Sequence, residues 1–501
     1  MALSFSPKRE LVSRVQQHMK NVLNKIFTNK IVLYMSSRYV TYALVFFVNM
    51  YIATKMGPEN YGIWSFLLLI FHYFMFVDLG IPSSVQVYMV QNKENNHVSA
   101  DYEKTGLLMI GLLSLSGILV SIYYCLGGVE KAHKLNVGWF FYGMCFCGML
   151  NFFNLFYDRI YRTKNRLFEL AFKQTSVVFF LAIAVLNFQK KNLVTGMVLA
   201  YMTWCIASLL MYLFRGGANL KGHYSGEYAR RILYKGFYLF IFNAGFSFIL
   251  ISTRTIIGTN FSIGDFGLFS FAYYLGHSVY NCLLAFSTLT IAKLLHRFHS
   301  SDRSVVLSTL SIVRISYIKL FHGIMYLVMI AFPIVLYFMP KYNESLLSMI
   351  LCALMMLLFT NSFGYASYLI AINKEKQLAL LAIISFLLNI LIAEFLVMII
   401  HASFEYVVFS TMISYLYYSY MCTYFGRKSL QLPTSFMKVL LDSFPLGLLL
   451  PFILALYVAL SGNRVLLFVP FILFLLLNRK TVVIIYKIFK KLLFNPNIID
   501  I

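Results

Sequence analysis

The chain has 501 residues, of which 60% are hydrophobic and only 12% are charged, and its mean hydropathy is +0.75. Soluble domains carry about 25% charged residues, so this composition excludes an ordinary soluble domain and predicts an integral membrane protein. The formal net charge of +24 would favour nucleic acid as a partner of a soluble protein, whereas basic residues in a membrane protein mark cytoplasmic loops. No nucleic-acid partner is therefore expected.

Fourteen apolar runs are each long enough to cross a bilayer, which takes about 20 residues of helix. Only helices and closed barrels satisfy the backbone in lipid, and the runs lack the alternation of barrel strands. The predicted fold class is therefore an all-α polytopic membrane protein. The predicted spans are residues 31–54, 62–90, 105–126, 137–157, 169–188, 193–214, 236–257, 266–292, 316–339, 345–371, 378–400, 405–425, 443–461 and 465–486.

The runs divide the chain into two lobes of six spans each, followed by two further spans. The predicted segments are a basic cytoplasmic N-terminal segment (1–30), the first lobe (31–214), a basic cytoplasmic linker (215–235), the second lobe (236–425), a cytoplasmic loop (426–442), the last two spans (443–486) and a cytoplasmic tail (487–501).

The distribution of Lys and Arg predicts the orientation of the chain. If the N-terminus is cytoplasmic, most of the 42 Lys and Arg residues fall in loops on the cytoplasmic side. This alternation requires an even number of spans, so both termini are predicted to be inside. All predicted outer loops are short, whereas membrane enzymes that polymerise or ligate glycans usually use an extended outer loop, and the chain is predicted not to be an enzyme.

A short motif occurs twice in the sequence. Residues 61–66 (Tyr-Gly-Ile-Trp-Ser-Phe) correspond to residues 266–271 (Phe-Gly-Leu-Phe-Ser-Phe) at a constant offset of 205. Each copy lies between two apolar runs, as a tight outer turn that opens a helix, with Gly62 and Gly267 where backbones must approach closely. We therefore predict a duplicated membrane protein whose two halves are parallel repeats.

The order and spacing of several short motifs resemble those of a known transporter family. Residues 56–62 (Met-Gly-Pro-Glu-Asn-Tyr-Gly) follow the first run, and residues 78–81 (Asp-Leu-Gly-Ile) end the second. Residues 255–274, 339–345 and 371–376 are similar to the corresponding turns of the second half. Over nearly its whole length, the chain resembles the O-antigen and capsule repeat-unit flippases of the multidrug/oligosaccharidyl-lipid/polysaccharide exporter superfamily.

This resemblance implies a carrier in the bacterial inner membrane, surrounded by membrane lipid, that moves an undecaprenyl-pyrophosphate-linked oligosaccharide from the inner to the outer leaflet. It implies two six-helix lobes around a central cavity, alternating access, ion coupling, and a groove for the lipid tail formed by the last two helices. It also implies association with glycan polymerase and chain-length machinery. The seven cysteines lie in apolar runs without metal-ligand spacing, so neither a metal site nor a cofactor is expected.

One position departs from the family pattern. The seventh span of such proteins often has an acidic residue directly before an arginine, whereas this chain has Thr253 before Arg254. If that acidic residue couples ions in relatives, this chain lacks it there.

Cations within the apolar runs are candidates for substrate binding, because inserting each one costs about 3 kcal/mol. Arg38, about 10 Å into the first helix, and Arg254, near the outer end of the seventh, are predicted to contact pyrophosphate oxygens in the cavity. Snorkelling to the membrane interface is the alternative for both. Lys173 and Lys319, at the inner ends of the fifth and ninth runs, are further candidates for a cationic cavity wall, with plain cytoplasmic anchors as the alternative.

Glu394 and Asp78 are candidates for ion coupling, since each lies about 24 Å along its helix. A carboxylate in a poorly hydrated cavity binds a proton more readily and can release it as access alternates. The alternative for Glu394 is a structural hydrogen bond or ion pair, and for Asp78 it is the shaping or capping of a helix break. His72, His277 and His322, which also lie in apolar segments, are interpreted as packed side chains.

Other functions stay open. A cation-coupled multidrug exporter of the same superfamily usually has twelve spans and an acidic cavity, which fits this chain poorly. A membrane glycan polymerase or ligase is disfavoured by the short outer loops. The flippase of the peptidoglycan precursor also has fourteen spans and a cationic cavity, and the sequence separates it only weakly from the favoured interpretation.

Overall fold

The computed structural model describes residues 30–92, 94–164, 166–189, 192–216, 221–300 and 302–479, and these contain no β-strand. The predicted all-α class is therefore confirmed. The α-helices of the described residues are α1 (Lys30–Phe76), α2 (Ile81–Gln91), α3 (Asn96–Ser114), α4 (Ser116–Cys125), α5 (Glu130–Lys134), α6 (Gly138–Thr163), α7 (Leu167–Asn187), α8 (Leu193–Phe214), α9 (Gly226–Asn260), α10 (Ile263–Ser300), α11 (Arg303–Val313), α12 (Lys319–Phe338), α13 (Leu346–Thr360), α14 (Tyr365–Ala371), α15 (Glu375–Glu394), α16 (Val408–Ser429), α17 (Phe436–Ser443), α18 (Leu446–Ser461) and α19 (Val469–Leu477).

The chain is a multi-pass membrane protein. Within the described residues, eight helical segments are long and apolar enough to cross a membrane, and there are nine if the bent pair α17 and α18 forms one span. One of the eight, Tyr39–Gln91, has 53 residues. At 1.5 Å per residue this is about 80 Å of helix, more than twice the thickness of the hydrocarbon core, so it holds more than one crossing. The predicted number of 14 spans and the cytoplasmic position of both termini stay predictions.

The first long helix changes direction in front of the duplicated motif. α1 has 47 residues and continues through Gly57, whose φ is 72°, and Pro58. A positive φ is readily available to glycine, and proline has no N–H to continue the helical ladder, so the two residues together bend α1. We call the part of α1 after Gly57 its second arm.

The two copies of the duplicated motif pack against each other, through the second arm of α1 and the start of α10. A Cβ atom on Gly62 would lie 2.0 Å from the carbonyl oxygen of Ile263, and one on Gly267 would lie 1.9 Å from that of Pro58. Positions 58 and 263 are 205 residues apart, as are 62 and 267, so the two contacts are equivalent under the offset of the repeat. Both glycines thus stand where backbones approach closely, as the sequence predicts.

Each half also has an interior of its own. In the first lobe, the Tyr161 hydroxyl of α6 donates to the carbonyl oxygen of Tyr212 on α8 over 2.7 Å. In the second lobe, α13 is buried along nearly its whole length, and the Ser419 hydroxyl of α16 donates to the carbonyl oxygen of Leu358 on it over 2.8 Å. α13 therefore needs no polar face, and its sequence is apolar on all sides.

The last helices pack on the second lobe. α17 meets α18 at a bend of 72°. Asn478, just after α19, donates from its amide nitrogen to the carbonyl oxygen of Gly447 on α18 over 2.7 Å. The Phe474 ring of α19 lies 5.7 Å from that of Tyr326 on α12, so the final helix pair is attached beside α12.

Candidate functional site

Arg254 is a buried cation at the contact between the two lobes. It lies on α9, is 6% exposed, and donates from Nη2 to the carbonyl oxygen of Ser65 on the second arm of α1 over 3.4 Å. Its guanidinium carbon lies 5.0 Å from the centre of the Tyr273 ring and 5.9 Å from that of Phe266, both on α10. Aromatic faces attract a cation without neutralising it. Residues of both halves therefore surround this charge.

No carboxylate of the described residues forms an ion pair with Arg254. Its Nε atom is buried and has no hydrogen-bond partner there either. A buried charge without a counter-charge costs several kcal/mol, so a protein that keeps one usually uses it. The arrangement is typical of a site that receives an anionic ligand.

The groups around Arg254 are polar aromatic side chains. Tyr61, Tyr73 and Tyr273 lie within electrostatic range of the guanidinium, as do His72 and His277. The interpretation of these two histidines as packing residues stays a prediction. Positions 72 and 277 are separated by the repeat offset of 205, so the two are equivalent positions of the two halves.

Asn49, the position equivalent to Arg254 under the repeat, also reaches across the lobe contact. Its amide nitrogen donates to the Tyr274 hydroxyl of α10 over 3.1 Å, and that hydroxyl donates to the carbonyl oxygen of Val45 over 3.0 Å. Both repeats thus direct a polar side chain at this position to the opposite lobe. The first half supplies a neutral amide and the second half a cation.

Lys173 lies inside the first lobe and is compensated. Its Nζ atom is 2.6 Å from Oδ2 of Asp158, and the Tyr212 hydroxyl donates to the other oxygen of the same carboxylate. The Trp204 indole N–H donates to the backbone carbonyl of Lys173 over 3.1 Å. This ion pair joins α6, α7 and α8, and the structure does not bring Lys173 together with Arg254.

Lys319 lines a separate cavity of about 260 Å³ beside α17 and α18. Arg314, Tyr365 and Asp442 also line this cavity. Arg427 Nη1 lies 2.7 Å from the Asp442 carboxylate, Arg314 Nη2 lies 3.7 Å from it, and the Tyr365 hydroxyl donates to it over 2.5 Å. Asp442 therefore forms ion pairs with two arginines that are far apart from each other in the sequence. The sequence analysis does not predict this cluster.

Asp78 lies in the break between α1 and α2. Its Oδ1 atom accepts the backbone N–H of Gly80 over 2.8 Å, and Leu79 and Gly80 both have positive φ, at 51° and 68°. A Cβ on Gly80 would lie 2.1 Å from the carbonyl oxygen of Gly236 on α9. The carboxylate thus stabilises a turn that touches the other half, with the geometry of an Asx-turn in front of α2. A role in ion coupling stays a prediction.

Glu394 is the half-buried last residue of α15 and directly precedes a π-helix at Phe395–Ile399. Such bulges are frequent at functional sites, and its role in coupling stays a prediction. Arg38 falls within α1, but its side chain lies outside the described part of the structure.

Thr253 belongs to a closed neutral network in the second lobe. Its Oγ1 atom is 2.7 Å from that of Thr411, and the Asn389 amide nitrogen donates to it over 2.9 Å. The Ser410 hydroxyl donates to the amide oxygen of Asn389 over 3.0 Å. These side chains are buried and satisfy one another, so the position next to Arg254 carries no ionisable group.

Comparison of the sequence with known families finds one that matches more than half of the chain. Residues 27–292 match the sequence model of the family described as polysaccharide biosynthesis protein. No curated protein sequence matches the chain significantly.

Several solved structures share the fold. A multidrug resistance MATE family transporter of the MOP superfamily in an inward-facing conformation is 12% identical, with 78% of this chain and 94% of that chain covered and a TM-score of 0.63. A structure of the same description in an outward-facing conformation is 14% identical, with 80% and 95% covered and a TM-score of 0.57.

A MOP superfamily transporter from Pyrococcus furiosus is 14% identical, with 79% of this chain and 95% of that chain covered and a TM-score of 0.55. That protein is described as having a binding pocket of reverse polarity, which suggests a different function for it. At such low identities the likeness shows the fold alone. It confirms the transporter fold that the sequence motifs implied.

Proposed function

The chain belongs to the polysaccharide biosynthesis protein family, and from this premise we propose that it is a flippase for undecaprenyl-pyrophosphate-linked oligosaccharide repeat units of O-antigen or capsule. It moves them by alternating access from the inner to the outer leaflet of the bacterial inner membrane. The observation that carries the proposal is Arg254, a buried cation between the lobes without a carboxylate partner among the described residues. The pyrophosphate of the substrate supplies the missing negative charge.

The chemistry of the site supports an anionic substrate. A guanidinium contacts phosphate oxygens through two parallel N–H donors, which gives both charge and orientation. The tyrosines around Arg254 offer aromatic faces and hydroxyls, which suit contacts with the sugars that follow the pyrophosphate. Arg38, on the first arm of α1, is proposed as a second cation that receives the substrate.

A multidrug exporter is less well supported. A cationic drug needs an acidic cavity, whereas the charge at the lobe contact is positive and the neighbouring Thr253 network is neutral. The similar structures include multidrug transporters but also the P. furiosus protein with its pocket of reverse polarity. The fold therefore accommodates binding sites of either charge, and the residues of this chain favour an anion.

The contact of the duplicated motifs suits alternating access. Gly62 and Gly267 bring two backbones together at one end of the lobes, and without side chains between them this contact can open and close as a unit. Structures of this fold exist in inward-facing and outward-facing conformations. Proton or cation coupling through Glu394 and Asp78, and association with glycan polymerase and chain-length machinery, are part of the proposal.

The test of the function is the leaflet position of the lipid-linked oligosaccharide in a bacterium with and without the gene, measured with a probe that labels only outward-facing glycan. Loss of outer labelling, with accumulation of the intact lipid-linked unit inside, is expected without the gene. Unchanged labelling together with new sensitivity to cationic drugs would favour efflux. Outward single units that fail to lengthen would favour a polymerase.

The same assay tests the residues. Arg254→Ala and Arg38→Ala, made separately, are expected to reduce outer labelling at normal protein level. The matched control is Arg231→Ala, which removes an arginine from the exposed surface of the same helix, where it pairs with Glu227 over 2.5 Å. If both test variants transport as well as the control, the cationic site is wrong even if the protein is a flippase.

A further inference from the structure

The two halves of the protein each place one histidine beside Arg254. His72 lies on the second arm of α1 and His277 on α10, at the offset of 205 that relates the duplicated motifs. Each follows its motif glycine by ten residues, which is about 15 Å along a helix. Both imidazoles lie within electrostatic range of Arg254, and they are also within range of each other. The two histidines are therefore repeat-related residues in the neighbourhood of one cation.

The side of each helix that carries the histidine is the one that contacts the other half. On α1, Gly62 touches α10 and Ser65 touches Arg254. His72 follows Ser65 by seven residues, which returns it to the same helix face. On α10, Gly267 and Tyr274 touch α1, and His277 follows Tyr274 by three residues, which makes the two side chains neighbours on the helix surface.

The hydrogen bonds of His277 determine where its proton lies. The Asn281 amide nitrogen is 3.0 Å from Nδ1 of His277. An amide nitrogen only donates, so Nδ1 accepts and the neutral ring carries its hydrogen on Nε2. The ring stacks on Tyr273 at 5.2 Å, the same tyrosine that lies against Arg254. Nε2–H has no hydrogen-bond partner in the described structure and is available to a ligand.

His72 is available in the same way. Its ring is half-buried and packs beside Phe71 at 6.4 Å, and the described residues offer it no hydrogen bond. Polar groups inside a membrane protein are normally paired with protein. The free Nε2–H of His277, the imidazole of His72 and the unpaired Nε of Arg254 therefore indicate a place for acceptor atoms.

We propose that Arg254, His72 and His277 form a pyrophosphate-binding site, in which one imidazole from each lobe donates a hydrogen bond to phosphate oxygens on either side of the guanidinium. This inference rests on the proposed function, which supplies a pyrophosphate-linked substrate. A pyrophosphate has two adjacent phosphate groups, and two donors from repeat-related positions provide one hydrogen bond for each. Because each lobe contributes one donor, separation of the lobes at this level weakens the site and releases the ligand.

The test is direct binding to the purified full-length protein in nanodiscs, with farnesyl pyrophosphate and farnesol as probes. His72→Phe and His277→Phe keep a ring of similar size but remove the donors. Each is expected to weaken binding of farnesyl pyrophosphate about tenfold, the effect of one hydrogen bond to a charged group, and to leave farnesol binding unchanged. His277→Gln, which restores an N–H donor, is expected to recover most of the affinity.

Two further variants separate binding from folding. Asn281→Leu leaves His277 in place but removes the amide that holds its hydrogen on Nε2. This variant is expected to weaken binding of farnesyl pyrophosphate, by less than His277→Phe, and to leave farnesol binding unchanged. His322→Gln is the control, because His322 is bonded to Asn361 over 3.0 Å in the second lobe. It is expected to bind both probes normally.

The possible results separate the proposed histidine site from the proposed flippase function. If the wild type prefers farnesyl pyrophosphate over farnesol and the histidine variants keep that preference, the histidine site is wrong and the flippase proposal stands. Equal loss of both probes assigns the histidines a structural role and also overturns the site. If the wild type does not distinguish the two probes, both the site and the proposed substrate class are wrong.

Discussion

The first lobe and the contact between the lobes hold buried cations in opposite ways. Lys173 in the first lobe has a carboxylate 2.6 Å away, and a tyrosine hydroxyl occupies the other oxygen of that carboxylate. Arg254 at the lobe contact has a backbone carbonyl and aromatic rings as its described neighbours, without a carboxylate. A compensated pair holds helices together, whereas an uncompensated cation remains available to an anion. Burial alone therefore does not mark a buried cation of this protein as a candidate for ligand binding. The absence of a carboxylate partner does.

The second lobe supplies another compensated example. Arg314 is buried, at 9% exposed, and Asp442 pairs with it and with Arg427. This cluster ties α17 to Arg314, which lies 128 residues earlier in the chain, and to Arg427 of α16. It explains how the last helices attach to the lobe and calls for no ligand.

The largest expected effect is on the compensated side of the comparison. Asp158→Asn leaves Lys173 buried without a counter-charge, so the free energy of unfolding is expected to fall by about 3–5 kcal/mol. The double variant Asp158→Leu with Lys173→Met removes both charges and is expected to recover most of that loss. Denaturant unfolding of the purified protein measures both. If the double variant is as unstable as the single variant, the lost stability of Asp158→Asn does not come from an uncompensated Lys173 charge.

At the lobe contact we expect the reverse pattern. Arg254→Met removes an uncompensated charge, so stability is expected to stay the same or rise, while the rate of outer-leaflet labelling falls about 100-fold through the loss of two charged hydrogen bonds. Arg254→Lys keeps the charge without the bidentate geometry and is expected to lie in between. Loss of folded protein in Arg254→Met would place this arginine with the structural cations.

The contact of the motif glycines predicts a symmetric effect. Gly62→Ala and Gly267→Ala each insert a Cβ within 2.0 Å of a backbone carbonyl oxygen. Each is expected to cost the closed contact about 1–3 kcal/mol, with similar reductions of thermal stability and transport rate. Gly111→Ala is the control, since a Cβ there meets nothing within 4 Å. Clearly unequal effects of the two variants would contradict the equivalence of the two halves at this contact.

The smallest effect is expected at Lys319. It lines the cavity that holds the Asp442 cluster, away from the lobe contact, so Lys319→Gln is expected to change the transport rate by less than about twofold. A reduction as large as that of Arg254→Met would show that the cationic region of the substrate path extends to this cavity.

Much of the architecture could be predicted from the sequence. The all-helical membrane class follows from long apolar runs, and the duplication follows from residues that recur at one offset. The sequence predicts a close approach at the two motif glycines because a residue without a Cβ atom lets two backbones meet. Arg254 was identified because an ionisable residue near the outer end of an apolar run is rare enough to be informative.

The partners of the charges could not be predicted. Arg314 and Asp442 are 128 residues apart, and sequence offers no rule that pairs them. Lys173 and Asp158 are only 15 residues apart, yet they lie on different helices, so their pairing depends on how α6 and α7 pack. The sequence alone favours packing roles for His72 and His277, because a single histidine in an apolar run has no distinguishing pattern until its repeat partner is considered.

The sequence by itself determined the class of the protein, its duplication and the few polar residues that its apolar runs contain. These properties depend on composition and on spacing along one chain. They can be predicted because apolar side chains enter lipid favourably and charged side chains do so at a high cost in free energy. The tertiary structure decided which buried cations have a carboxylate partner among the described residues and which have none. That decision depends on distances of a few ångströms between residues far apart in the chain, because Coulomb attraction in a dry interior is strong only at contact.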